Sequence, residues 1–141
     1  MTQMYIGVKM VLAYPQEKDG QPGYGVVYAD GYTSWSPKEV FEKSYFPMGQ
    51  LPDGTENLNK VTEEMVDAFM GTPESSQISE RTTLVKVTPK TGFEQFEVSS
   101  CVDPANYDHE IGVKCATKRI KDRIWGHLGF VLQWAKYGLK R

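Results

Sequence analysis

The chain has 141 residues, is 40% hydrophobic and carries a formal net charge of −2. This length suits one compact domain or two small units, and the composition is that of a globular protein. No apolar run approaches the roughly 18–20 residues that span a bilayer, and the first residues lack the basic and apolar regions of a signal peptide. We therefore expect a cytoplasmic protein with no membrane partner, in which Cys101 and Cys115 stay reduced.

Charge is unevenly distributed along the chain. Residues 104–141 carry a net charge of +5, and the remaining 103 residues carry −7. This polarity is compatible with an anionic partner at the basic end, with attraction between the two halves, or with head-to-tail pairing of two copies. The sequence leaves these three interpretations open.

The N-terminal part is predicted to form a strand followed by a β-hairpin. Residues 5–13 are expected to be the first strand, and a turn-rich loop follows. Residues 24–28 and 32–35 are two further strands. The Asp30-Gly31 pair between them is typical of a hairpin turn, because both residues tolerate positive φ.

A helix is predicted directly after this hairpin. Ser36 is expected to be its N-cap and Pro37 its first residue, and Glu39, three residues after Ser36, completes a capping box. Pro47 should end the helix. A second helix is expected over residues 61–71, with Thr62 as its cap and Gly71 at its C-terminus.

The C-terminal part repeats the order of hairpin and helix. Residues 82–88 and 93–99 read as strands, and Asp103 as the cap of a helical region. The apolar residues of that region recur at helical spacing: Ile111, Cys115, Ala116, Ile120 and Ile124. Gly126 and Gly129 are expected to break the helix, since together they cost roughly 2 kcal/mol of helix propensity.

These elements predict an α+β fold of two hairpin-plus-helix units, with antiparallel sheets packed by helices and a broken C-terminal helix. We expect the units to be residues 1–71 and 81–141, joined by a linker over 72–80 that is rich in turn-forming residues. The two units are also compatible with one shared core.

The C-terminal sequence resembles a known family. The run 103–112 (Asp-Pro-Ala-Asn-Tyr-Asp-His-Glu-Ile-Gly), Ile124-Trp125 and 129–132 (Gly-Phe-Val-Leu) are similar to the N4/Sf6 family of small tailed-phage proteins. The resemblance covers roughly the last 60 residues and departs at Gly126-His127, where the family commonly has acidic residues. Residues 30–37 resemble a cassette of phage accessory proteins. The resemblance implies a phage protein acting in the cytoplasm of an infected bacterium, and no particular reaction.

Candidate metal and catalytic residues are few. Cys101, Cys115, His109 and His127 lack the close Cys-x-x-Cys pairs of structural zinc sites. A Cys101–His109 nucleophile pair lacks a visible third residue that would orient the imidazole. We therefore expect no metal, no cofactor and no enzymatic activity.

Two groups of residues are candidate binding sites. Aromatic and polar side chains around the hairpin could stack a base and hold a phosphate at the helix N-terminus: Tyr28, Tyr32, Trp35, Ser36 and Lys38. The alternative is that these aromatic residues only build the core. Lys114, Lys118 and Lys121 share one helical face and could contact phosphates, although the same face is equally typical of a solvated helix surface.

The sequence therefore favours a phage accessory protein that acts by binding. The ligand is either a small nucleotide, sequestered as an immune signal, or a host protein that the chain blocks as an adaptor. Nucleic acid bound by the basic helix is a further alternative, and self-association is also compatible with the sequence.

Overall fold

The computed structural model describes residues 1–141 and divides them into two compact units. The first unit contains residues 1–60 and 131–141, and the second contains residues 61–130. Each unit contains one three-stranded antiparallel sheet. The α+β class predicted from the sequence is therefore confirmed.

The first unit is built on a sheet in the order β1-β2-β3, comprising Leu12–Pro15, Gly23–Val27 and Thr33–Pro37. The hairpin predicted from Asp30-Gly31 is confirmed, because β2 and β3 pair around this turn and Gly31 has a φ of +89°. The first strand is shorter and later than predicted. Residues 1–11 form no regular structure, since most of their side chains are exposed and gain nothing from pairing.

Helix α1, Lys38–Ser44, follows β3 directly, but the predicted N-cap is wrong. Ser36 is still paired with Tyr24 in the sheet, and its hydroxyl donates to the Pro37 carbonyl at 3.4 Å. Pro37 takes the cap position without any side-chain cap bond. The helix is held instead by aromatic stacking, because Phe41 lies 4.3 Å from the Tyr24 ring of β2.

The second unit begins with helix α2, Glu63–Met70, and continues with a sheet in the order β4-β5-β6, comprising Glu74–Gln77, Thr82–Val87 and Gln95–Ser100. Strand β4 lies inside the stretch expected to be a linker. Its four side chains are all exposed, so its pairing with β5 comes from backbone hydrogen bonds that a composition rich in Ser, Glu and Pro does not reveal.

Helix α3, His109–Tyr137, is not broken, and its residues 109–130 pack on one face of the second sheet. Asp103 caps only a short 3-10 turn, Pro104–Asn106, which precedes the helix. The prediction of a break at Gly126 and Gly129 is wrong. The helix buries Ile124 and Leu128 on either side of Gly126, and this packing outweighs the low helix propensity of glycine.

The core of the second unit lies between these helices and the inward face of β5. Val85 and Val87 are fully buried on the strand, as is Val66 of α2. From α3 the core receives Ala116, Ile120, Ile124 and Leu128. No helix of the 141 residues has the length and apolar character needed to cross a membrane.

The two predicted N-caps, Thr62 for α2 and Ser36 for α1, can be compared by mutation. The Thr62 hydroxyl oxygen accepts from the Met65 amide at 3.2 Å, whereas Ser36 caps nothing. Thr62→Ala should therefore lower the free energy of unfolding by about 1 kcal/mol. Ser36→Ala should change it by less than about 0.5 kcal/mol. Urea denaturation of both variants measures the difference, and equal effects would contradict the assignment of the caps.

Candidate functional site

The exposed tip of the first hairpin carries two tyrosines side by side. The Tyr28 and Tyr32 rings lie 5.7 Å apart between centroids, with an angle of 31° between their planes. The Lys9 ammonium lies 4.7 Å from the Tyr28 centroid, a cation–π distance. Tyr32 is 65% exposed. We call Lys9, Tyr28 and Tyr32 the tyrosine platform.

The backbone of the turn fixes this platform. The Tyr28 amide donates to the Tyr32 carbonyl at 2.8 Å, and the Gly31 amide donates to the Tyr28 carbonyl at 2.9 Å. The Asp30 carboxylate accepts from the Tyr32 amide at 3.0 Å. These bonds hold the two rings on the same side of the turn. An open groove of about 510 Å³ adjoins them, lined by Lys9, Met10, Tyr28, Ala29, Asp30 and Tyr32.

Trp35 lies on the other face of the hairpin. Its indole N–H donates to the Gln16 carbonyl at 2.8 Å, and its ring covers Gly23. A Cβ at Gly23 would lie only 2.5 Å from the indole ring, so only glycine allows this packing. The ring is half-buried and forms a structural contact within the first sheet.

Ser36 and Lys38 lie at the opposite end of the hairpin from the platform. Strand β3 separates them from Tyr32, and a five-residue strand spans about 13 Å from its first to its last Cα at roughly 3.3 Å per residue. The Lys38 amide already donates to the Pro22 carbonyl at 3.2 Å. Of the five aromatic and polar candidates, the structure brings together only Tyr28 and Tyr32.

A second aromatic group packs α1 against the first sheet. Phe41 stacks between Tyr24 and Tyr45, at centroid distances of 4.3 and 4.8 Å. The Tyr24 hydroxyl donates to Glu42 at 2.7 Å, and this hydrogen bond to a carboxylate raises the pKa of Tyr24. These rings face each other and stabilise the unit.

The three lysines of the basic helix face differ in their surroundings. Lys121 pairs with Asp67 at 2.9 Å and Glu63 at 3.2 Å, and these hydrogen bonds raise the pKa of its ammonium. Lys118 pairs with Asp122 at 3.5 Å. Lys114 is exposed. Carboxylates of the same unit thus already neutralise two of the three charges.

The two arginines of α3 close the outer edge of the second sheet. Arg119 donates to the Val98 carbonyl at 2.6 Å, and Arg123 donates to the Phe96 carbonyl at 2.9 Å. Glu97 pairs with both guanidinium groups. An edge strand with occupied carbonyls is a poor template for pairing with another chain. These bases therefore have a structural role that their helical spacing alone does not show.

Four side chains of the second unit form a hydrogen-bonded chain that sequence reasoning missed. Ser75 Oγ lies 3.1 Å from His109 Nε2, and His109 Nδ1 lies 3.0 Å from the Tyr107 hydroxyl. The Tyr107 hydroxyl lies 2.7 Å from Thr83 Oγ1. We call these residues the Ser75–His109 chain. Ser75 and His109 are 34 positions apart, so only the pairing of β4 beside α3 brings them together.

The two cysteines are not part of the Ser75–His109 chain. The Cys101 thiol donates to the Asp103 carbonyl at 3.3 Å, and Cys115 is exposed on α3. His109 therefore meets a serine and a tyrosine rather than Cys101. No three His, Cys, Asp or Glu side chains of the structure are close enough to hold a metal ion.

Comparison with known protein families identifies a relationship. A model of the phage protein (N4 Gp49/phage Sf6 gene 66) family matches residues 37–135, which is more than half of the chain. The match begins well before the region that carries the resemblance in the sequence. No curated protein and no solved structure matches the chain significantly. The chain belongs to the N4 Gp49/Sf6 gene 66 family of phage proteins.

Proposed function

We propose that this phage protein is an accessory protein that acts in the infected host by binding, and that the tyrosine platform is its ligand contact. The observation that carries the proposal is the pairing of the half-buried Tyr28 ring with the exposed Tyr32 ring, with the Lys9 ammonium beside Tyr28. Neighbouring aromatic faces together with a cation suit a ligand that is both flat and anionic. A small nucleotide has this chemistry.

The energetics of stacking support a ligand of this size. A base on an aromatic side chain contributes roughly 1–3 kcal/mol, and the hydrogen bonds of the turn fix Tyr28 and Tyr32 before a ligand arrives. The cation beside the tyrosine rings is Lys9, whereas the sequence predicted Lys38 for this role.

A thermal-shift screen with cyclic dinucleotides and ADP-ribose-derived nucleotides tests the proposal. A ligand at 100 times its dissociation constant should stabilise the wild type by about 2.7 kcal/mol. Tyr32→Ala should remove one stacking face and weaken binding by about 1–3 kcal/mol, a factor of about 5 to 150.

Tyr137→Ala is a matched control for that variant. Tyr137 is 67% exposed, close to the 65% of Tyr32, and its ring has a lysine ammonium at 5.7 Å but no neighbouring tyrosine. The control should bind as the wild type does. Equal losses in both variants, or no stabilisation by any nucleotide, would rule out nucleotide binding at the platform.

A host protein is the second candidate partner, and the outer face of the second sheet favours it. Phe96 and Val98 are 49% and 43% exposed there, and Leu84 lies opposite Val98 in the register. Because the arginines close the edge of β6, a protein partner would dock on this face and not add a strand. Tyr32→Ala leaves this face unchanged, so that variant separates the two candidates.

A further inference from the structure

The Ser75–His109 chain has the layout of an activated nucleophile. A serine hydroxyl lies within hydrogen-bonding distance of one imidazole nitrogen, and a third group holds the other nitrogen. This is the arrangement by which a base activates a hydroxyl and is itself oriented. Tyr107 occupies the orienting position here, and its hydroxyl is fixed by the fully buried Thr83.

From this geometry we propose that Ser75 is a nucleophile and His109 its general base in an acyl-transfer site that takes carboxylic esters. The site is separate from the tyrosine platform and goes beyond the proposed binding function. In the reactive arrangement, Ser75 donates to His109 Nε2. The Nδ1–H of His109 donates to Tyr107, and the Tyr107 hydroxyl donates to Thr83 Oγ1. Tyr107 is a positioning residue, because it acts through the imidazole.

The reaction needs only an ester and water. Ser75 Oγ forms a bond to the carbonyl carbon of the ester, and its proton moves to His109 Nε2. The bond from that carbon to the alcohol oxygen breaks, and the departing alcohol takes the proton. Water then attacks the acyl-serine with His109 again accepting the proton, which releases the acid and restores the serine hydroxyl.

An open surface groove is lined by close sequence neighbours of Ser75 and His109. Its volume is about 630 Å³. Pro73 lines the groove and stands two residues before Ser75. Glu110 also lines it and directly follows His109. Ile111 and Val113 add apolar surface, and Lys114 adds a positive charge. These residues suit an apolar acyl chain, with Lys114 available to an anionic end group.

Labelling with a fluorophosphonate tests the nucleophile directly. Ser75 Oγ should bond to phosphorus as fluoride leaves and His109 takes the proton, giving an adduct that peptide mass spectrometry locates. Ser76 is a matched internal control, because it is exposed on the same strand and faces the other side of the sheet. General-base catalysis predicts that Ser75 reacts about 10²-fold to 10⁴-fold faster than Ser76.

Three variants complete this test. Ser75→Ala should abolish the adduct and Ser76→Ala should leave it unchanged. His109→Gln should lower the rate at Ser75 to that at Ser76. All three positions are exposed and allow these changes without loss of folding. Equal rates at the two serines of the wild type, or an undiminished rate in His109→Gln, would overturn the proposal. The Ser75–His109 chain would then only connect β4 to α3 by hydrogen bonds.

The imidazole tautomer tests the role of Tyr107 independently. Nitrogen-15 NMR of the wild type should show His109 protonated at Nδ1 when it is neutral, and Tyr107→Phe should remove that preference. His127, an exposed residue on α3, is the internal reference. A His109 protonated at Nε2 would make Ser75 the acceptor and would equally overturn the proposal.

Discussion

Gly112→Ala should lower the free energy of unfolding by about 2–3 kcal/mol. A Cβ at Gly112 would lie 2.4 Å from Thr83 Oγ1 and 2.9 Å from Thr83 Cβ, so either α3 or β5 must shift. Overpacking of this kind typically costs 1–3 kcal/mol. A shift would also strain the hydrogen bond between Thr83 and Tyr107. Urea denaturation followed by circular dichroism measures the loss.

Gly126→Ala is the control for that variant, because it makes the same change in the same helix. A Cβ there would meet nothing within 4 Å, so only the gain in helix propensity remains. We expect a stabilisation of roughly 0.5–1 kcal/mol. A destabilising Gly126→Ala, or a neutral Gly112→Ala, would contradict the close packing of α3 on β5.

Ile120→Ala should destabilise the protein by about 3–4 kcal/mol, because Ile120 is fully buried and its truncation leaves a cavity in the core of the second unit. Ile111→Ala removes the same atoms from the same helix, but Ile111 is 60% exposed. We expect that control to cost less than about 0.5 kcal/mol.

Comparison of the two denaturation midpoints measures this difference. The sequence placed both isoleucines on one apolar face, so equal losses in the two variants would support that simpler pattern. They would contradict the observed packing, in which the buried stripe begins at Gly112 and continues through Ala116 and Ile120.

Local signals in the sequence were sufficient where short-range chemistry decides the structure. The Asp30-Gly31 turn needs only a residue pair that accepts positive φ, and the Thr62 cap needs only a hydroxyl before a helical pattern. Both predictions are confirmed. Ser36 satisfied the same capping rule and failed, because pairing with Tyr24 in the sheet holds it in strand conformation.

Tertiary packing decided the elements that the sequence missed. Gly126 and Gly129 lower helix propensity, yet buried neighbours such as Ile124 keep α3 continuous. Strand β4 has no buried side chain, so its existence depends on a partner strand that hydrophobic periodicity does not reveal.

The candidate sites were likewise predictable only where their residues are close in sequence. Three residues join Tyr28 to Tyr32, and this proximity in sequence was enough to place them together. Trp35 is only three residues further on, but strand alternation turns it to the opposite face of the hairpin. Ser75 and His109 meet only through the fold, and no spacing rule connects them.

The proposed function requires that the tyrosine platform contacts its ligand directly. The most direct measurement is an NMR titration of the wild type with ADP-ribose and with a cyclic dinucleotide, in which the tyrosine ring signals are followed. We expect the Tyr28 and Tyr32 signals to shift in a saturable manner with at least one of these nucleotides, while those of Tyr137 stay in place. Unmoved Tyr32 signals at millimolar nucleotide, or equal shifts at Tyr137, would contradict the claim.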